Sequence, residues 1–595
     1  MVSTWQNFSR FPRNLTILLL QICIIFALTA AQGAPSIVEP VGEIPKPAMI
    51  SPSVMMAILV RNKQHALPWF FAGIENLLYP KDRISLWIRV DHCEDNSTDV
   101  INQWLKRMRS LYHTVDLQVD NSTTVYDGEL GPSDWTAERF TNVIQLRQAA
   151  LSKARKIWAD YLLMIDADNI IVNRKTLNIL MEQEKTVIAP MMNCTSASLY
   201  SNFWGDITAE GYYRRSDNYI SVIRRAERGV FEVPMVHSTL LINLNHKDSR
   251  KLSYDPTPPN YEGPHDDIIR FAFSAKYSNV KMYVVNTDFF GYLAKPLREE
   301  ETLESEKALF THLKLEATVE SNGTSLASSK FIKVPPRKKD KLGFDKVYVI
   351  NLRRRPERRK RMVEALDYLG IEAEFIDAVD GKQLNETYLD NLGVKMLPNY
   401  ADPHTKRAMT YGEIGCFLSH YNVWMDVVKN DYGKIIIFED DCRFEPLFRS
   451  RFDHNIQDAY ANVPDWDLIY LGRKILQLND EKWVDNADHL VRPQYSYWTL
   501  AYALTLTGAR KLLGQKPLGK LVPVDEYLPI MYDKHPTVKW SSEFEPRDLV
   551  TLSTAPLLIH PTHYTGQENY ISDTEMSKTI DDSLKARPRL SNDEL

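Results

Sequence analysis

From about residue 53 onward, short continuous apolar runs alternate with amphipathic stretches. Residues 55–60 are an unbroken apolar run closed by polar residues, the pattern of a strand covered on both faces in a parallel sheet. Residues 65–78 read as the helix that follows, and 84–88 as the next strand. A polar loop at 91–98 leads into an amphipathic helix through Leu111. Alternation of this kind predicts an α/β fold with a mostly parallel sheet, and it continues to about Leu293. Residues 316–341 interrupt it with a Ser/Gly/Ala stretch and then Pro-Pro-Arg-Lys-Lys-Asp, which is linker composition. A second α/β unit opens at Lys346. Residues 347–352 form its first strand, and Arg353-Arg354-Arg355-Pro356 turns into a helix with proline in the first turn. Residues 435–438 and 468–471 are two more buried strands, and the polar chain after Tyr570 reads as a flexible tail. The expected layout is a domain over 50–312, a linker over 313–344, a domain over 345–570 and a tail over 571–595.

The termini bear on location. Arg10 and Arg13 precede an apolar run over 15–31, followed by Ala31, Gly33, Ala34 and Pro35. This pattern predicts a secretory signal peptide over 1–33; the competing reading is an uncleaved anchor, for which the run is slightly short. Asn592-Asp593-Glu594-Leu595 at the other end resembles the KDEL class of retrieval signals, read by a luminal receptor. Together they predict a soluble resident of the endoplasmic reticulum lumen. Sequons at Asn96, Asn121, Asn193, Asn322 and Asn385 agree with a luminal glycoprotein. Cys93, Cys194, Cys416 and Cys442 are too few for a disulfide framework and lack zinc-ligand spacing, leaving room for one or two disulfides.

Composition narrows the classes. In 595 residues, 72 Lys+Arg against 77 Asp+Glu give a net charge of −5, which excludes a general polyanion binder and argues against a nucleic-acid partner. Hydrophobic residues at 44% and charged residues at 25% are the mixture of a folded globular chain, not of collagen, mucin or a disordered hub.

The candidate chemistry is carried by carboxylates at strand ends, where open parallel sheets bind ligands. Residues 161–165 run into Asp166-Ala167-Asp168, and 435–438 run into Glu439-Asp440-Asp441. Such groups supply hard oxygen ligands for Mg2+ or Mn2+ and leave positions for phosphate oxygens; the alternative is a strand-ending turn or helix cap. Three consecutive carboxylates after a buried strand repel one another unless a cation or basic groups neutralise them. Asp465-Trp466-Asp467 precedes its strand, a polarity that fits a turn or cap as well as a metal.

With these residues in view, the second module resembles glycosyltransferase family 25. The resemblance rests on Val349-Ile350-Asn351-Leu352 with Arg355 and Arg358, Gly412-Glu413-Ile414-Gly415-Cys416 with Ser419-His420, and Glu439-Asp440-Asp441. Over residues 50–570 the chain is similar to the collagen-modifying galactosyltransferases of that family, and the first module looks like a GT-A domain in its own right. The implied fold is two tandem GT-A-like, Rossmann-type domains. The implied reaction is transfer of galactose from UDP-galactose to 5-hydroxylysine of unfolded procollagen chains, manganese-dependent and inverting. On that footing Glu439, Asp441 and a late histidine, His563, are the candidate metal ligands, with Asp440 beside them. Asp525 or Glu526 is the candidate base, with Asp266 and Asp267 as equivalents in the first module. Asn351, Arg355, Arg358, Gly412, Gly415 and His420 are candidates for donor binding, although the arginine run from Arg353 also reads as a solvated helix face and the glycines as turn-formers. Two other readings stand: a degenerate binding module without activity, and a transferase for another glycan acceptor. Tandem modules with exposed aromatics leave a homodimer open.

Overall fold

The computed structural model describes residues 51–579 apart from 121, 123, 124, 195–198, 209–211, 260, 322–324, 565, 566, 568 and 569. The expected signal peptide, Asn121, Asn322 and the Asn592-Asp593-Glu594-Leu595 terminus lie outside the described residues. Among the described residues no helix is long and apolar enough to cross a membrane.

The first module is built on an eight-stranded sheet in the order Val230–Val233, Met282–Val285, Val187–Pro190, Thr239–Asn243, Tyr161–Asp166, Val54–Val60, Ile84–Val90, Thr114–Val119. The last four run parallel, and Thr239–Asn243 inserts antiparallel beside Tyr161–Asp166. Along Val54–Val60, Met56 and Ile58 pack with Leu163 and Ile165 on one side, while Met55 and Ala57 pack with Leu162 and Met164 on the other. Burial of both faces is why these strands read as unbroken apolar runs rather than alternating ones.

The second module repeats the plan. Its eight-stranded sheet runs Glu374–Asp377, Lys346–Asn351, Lys434–Glu439, Ser496–Thr505, Leu468–Ile475, Thr551–Thr554, Leu490–Arg492, Lys482–Trp483. Lys346–Asn351 is parallel to both neighbours, and Ser496–Thr505 is antiparallel to Lys434–Glu439. Ile435 and Ile437 enter one core, Ile436 and Phe438 the other. The fold is therefore two tandem GT-A-like α/β domains, as expected.

Three expectations change. Helix Leu303–Glu320 runs on into the expected linker, because Leu313, Leu315 and Ala317 are buried rather than solvated. It joins the modules: Arg443 Nε donates to Glu316 Oε1 at 2.7 Å, and Lys314 Nζ lies 4.1 Å from the Trp69 ring and 4.6 Å from that of Tyr368. Residues 571–579 are not a loose tail. Asp573 pairs with Arg354 and Arg355, the Gly412 N–H donates to Ser577 Oγ, and Tyr411 N donates to the Lys578 carbonyl. Finally, Cys93, Cys194, Cys416 and Cys442 are all free thiols.

Candidate active site

In the first module the carboxylates are neutralised from within. Asp166 ends its strand and meets Arg147 Nη2 at 3.1 Å, while Arg147 Nε pairs with Asp267 at 2.5 Å. Asp168 pairs with Lys63 Nζ at 3.0 Å, and Lys63 also pairs with Glu306. Burial opposes the charge on Lys63, but Asp168 and Glu306 outweigh it and raise its pKa. Burial lifts Asp166 to about 6 in spite of Arg147. The expected base pair has other work here. Asp266 caps helix Asp267–Tyr277, its Oδ1 accepting the N–H groups of Ile268 and Ile269 at 2.8 and 2.9 Å, and Asp267 is held by Arg147. Both acids thus carry structural contacts, while burial and then the charge of Asp267 raise the Asp266 carboxyl to about 6.

The second module differs. A pocket of about 520 Å³ opens at the carboxyl end of Lys434–Glu439. Glu439, Asp440, Asp441, Asp525 and His563 all line it. Of the three consecutive acids only Asp440 is fully claimed: Asn351 Nδ2 donates to its Oδ2 at 2.7 Å and Arg358 Nη1 to its Oδ1 at 3.1 Å. Asp440 is therefore a brace for the strand end rather than a free ligand, and Asn351 holds it instead of reaching toward a nucleotide. Asp441 has no such partner. Its Oδ1 is buried without a hydrogen bond, and burial followed by the charge of Glu439 pushes its pKa up to about 7. A buried carboxylate oxygen without a donor, next to a second carboxylate, is the donor set a hard divalent cation satisfies.

His563 reaches the same edge because strand Ile559–Pro561 pairs antiparallel with Cys442–Phe444 and Thr562 N donates to the Asp441 carbonyl at 2.8 Å. Burial, then the charges of Arg361, Arg358 and Arg443, hold its pKa below the usual histidine value, which keeps the neutral imidazole needed for metal ligation. Glu439, Asp441 and His563 are donor types that a divalent cation takes and all line the pocket, but their ligand atoms do not gather within 4.8 Å of one another in this structure. Among the described residues, Cys416, His420 and Glu439 do. Burial keeps the Cys416 thiol protonated, however, and the His420 ring is already engaged on both nitrogens.

His420 lines the pocket and supports Glu439. Trp424 Nε1 donates to the Tyr502 hydroxyl at 3.0 Å, which lies 2.9 Å from His420 Nδ1. With the indole donating to it, the tyrosine hydroxyl offers its own proton to Nδ1, so Nε2 carries hydrogen and faces Glu439 Oε1 at 3.4 Å. Thr499 donates to the same carboxylate oxygen.

The base candidates separate clearly. Glu526 is buried and saturated by Tyr495 OH at 2.7 Å, Tyr497 OH at 3.0 Å and His535 Nε2 at 2.8 Å. Both acids line the pocket, but Asp525 lacks those partners, and burial, then Glu526 and Glu413, push its carboxyl up to about 8. The glycines serve close approach: a Cβ at Gly412 would meet the Asp573 carbonyl at 2.4 Å, and one at Gly415 the Val379 carbonyl at 2.4 Å.

The arginine run divides, with Arg353 and Arg359 exposed and others turned inward. Arg358 lines the pocket and donates to the Ile571 carbonyl at 2.9 Å, Arg361 is buried, and Arg355 is bound by Asp573 outside the pocket. Arg354, not singled out from sequence, lines it. Asp465 and Asp467 lie at the opposite edge of the sheet, because Leu468–Ile475 runs in the same direction as Lys434–Glu439 and these residues precede it. Asp465 is exposed, while Asp467 is buried and accepts from Lys511 Nζ at 2.7 Å and Val550 N at 2.9 Å. They form a structural anchor, not a metal site. Among the sequons, Asn96 and Asn385 are exposed at helix starts, whereas Asn193 is half-buried with its Oδ1 held by Arg225.

A pocket lined by carboxylates at the carboxyl edge of such a sheet is where an open α/β fold binds its ligand. A model described as the glycosyltransferase family 25 N-terminal domain matches residues 51–314, and one described as glycosyltransferase family 25 (LPS biosynthesis protein) matches 344–528. The chain belongs to glycosyltransferase family 25. It is 44% identical to procollagen galactosyltransferase 1 of Danio rerio over 94% of this chain and 92% of that one. It is also 44% identical to procollagen galactosyltransferase 2 of Homo sapiens, covering 92% and 87%. A Mus musculus relative named inactive glycosyltransferase 25 family member 3 is 45% identical, covering 89% of each.

Proposed function

We propose that this chain transfers galactose from UDP-galactose to 5-hydroxylysine of unfolded procollagen chains, with Mn2+ at the second module. The observation that carries this reading is the presence of Asp441, whose buried Oδ1 has no hydrogen-bond donor, with Asp525 in one pocket of a chain similar throughout to procollagen galactosyltransferases. Glu439, Asp441 and His563 would hold the cation, which would supply Lewis-acid neutralisation of the departing diphosphate. Arg358 adds fixed positive charge at the pocket wall. The acceptor hydroxyl oxygen forms the new bond to the anomeric carbon as the bond to UDP breaks, and its proton passes to Asp525. Attack opposite the leaving group inverts an α-linked donor to a β-linked product.

Location in the endoplasmic reticulum lumen is part of the proposal, supported by the Arg10/Arg13 leader and by the Asn592-Asp593-Glu594-Leu595 terminus as a ligand of a KDEL-type receptor. Deleting those four residues is expected to release the protein into the medium. A second reading, a non-catalytic binding protein, has the inactive mouse relative behind it. The intact carboxylate pocket favours transfer.

Purified residues 34–595 offered UDP-galactose, UDP-glucose or UDP-N-acetylglucosamine, with and without Mn2+, decide between them. Galactose transfer only with Mn2+, and only to a hydroxylysine peptide and not its lysine twin, is the expected result. Silence with every donor from folded protein supports the binding-protein reading.

A further inference from the structure

The donor pocket is not the largest opening in the molecule. A cleft of about 1390 Å³, more than twice the pocket's volume, runs between the modules. One wall comes from the first module's closing segment and helix Leu303–Glu320, including Arg298 and Glu301. The other comes from the second module, including Arg451 on helix Phe448–Asn462. Cleft and pocket share Arg358, Asp441 and His563, so the cleft opens directly onto the reacting centre. Its floor is fixed by the Glu316–Arg443 pair, which locks the first module's last helix to the strand that follows Asp441.

We infer that this inter-module cleft seats the acceptor polypeptide as an extended chain, so that the first module serves transfer as one wall of the acceptor site. This rests on the transfer reading above. Size is the first argument. The donor pocket already has room for a nucleotide sugar, and the cleft adds a volume that a single acceptor side chain does not need. Charge is the second. Eight basic side chains and six acidic ones line the cleft, a mixed lining that suits a polypeptide carrying both signs. Continuity is the third, since only a chain lying in this cleft presents one side chain at Asp441 while its neighbours remain held on both sides.

The test uses the full luminal chain with Arg298→Glu, Arg451→Glu and the double variant. Neither residue belongs to the carboxylate pocket. The probes are a single-stranded collagen-type peptide of about 20 residues with one central hydroxylysine, long enough to extend well beyond the reacting centre at roughly 3.3 Å per residue, and capped hydroxylysine alone. Peptide Kd is read without donor, transfer kinetics with it, and UDP-galactose hydrolysis as a control. Expected are a rise of about tenfold in peptide Kd and KM for the double variant, with hydrolysis and the kinetics of capped hydroxylysine unchanged. Unchanged peptide Kd in all three variants overturns the inference. Peptide binding that the variants weaken, with no turnover of any acceptor by the wild type, upholds the cleft and sinks the transfer reading instead.

Discussion

Two strand ends in this molecule carry nearly the same acidic signature, and the protein treats them in opposite ways. Asp166 and Asp168 sit at the edge of the first sheet with Arg147 and Lys63 drawn in to neutralise them. Glu439 and Asp441 sit at the matching edge of the second sheet, where the nearest arginine, Arg358, is spent on Asp440. The first arrangement pairs each acid with a basic side chain of the same module. The second leaves a buried oxygen without a donor and a carboxyl raised to about 7. A strand-end carboxylate pair thus marks a location, and the counter-charges around it decide whether the location binds metal.

Substitutions break this comparison from either side. Asp441→Asn is expected to lower kcat by about 10²–10³-fold while leaving the thermal unfolding midpoint at or above wild type, because a carboxylate repelled by Glu439 is removed. Arg147→Met is expected to do the reverse. Stranding Asp166 and Asp267 without their shared counter-charge costs about 3–5 kcal/mol of stability, read by urea unfolding, while metal-dependent turnover per folded molecule persists. Asp467→Asn falls between, at about 2 kcal/mol from the loss of its buried contacts with Lys511 and Val550. Its Mn2+ dependence is expected to match wild type.

Finer effects sharpen the picture of the second site. Tyr502→Phe removes the hydroxyl that fixes His420 against Glu439 and is expected to weaken Mn2+ binding about tenfold, as loss of an outer partner of a ligand does. The smallest effect concerns pH. Asp441 at about 7 and Asp525 at about 8 lie above the ordinary value of 3.8, so the folded apo protein binds more protons than the unfolded chain between those limits. These groups therefore cost stability as pH rises from about 4 to 8. A cation relieves that cost at Asp441, so the rise in unfolding temperature on adding Mn2+ is expected to be larger at about pH 8 than at about pH 5.

Much of this architecture is visible in the sequence. Unbroken apolar runs such as 55–60 and 435–438 are legible because both faces of each sheet are covered. Acids directly after those runs mark the ligand-binding edge. What is not legible is partnership. Nothing local ties Arg147 to Asp166, nineteen positions apart and brought together only by packing of helix Ala137–Lys156. Lys63 and Asp168 meet only because Val54–Val60 and Tyr161–Asp166 are neighbours in the sheet. Asp525 and Glu526 are adjacent in sequence and both line the pocket, yet Tyr495, Tyr497 and His535 saturate only Glu526. The tail misled because its composition is polar, whereas Asp573 is held by two arginines that composition does not connect to it.

Counting Mn2+ sites by isothermal titration of the folded chain over residues 34–595 tests the central contrast most directly. One site is predicted in wild type and in Asp166→Asn and Asp168→Asn, and none in Asp441→Asn. A second site lost with Asp166 or Asp168, or a site that survives Asp441→Asn, would contradict the assignment of the metal to the second module.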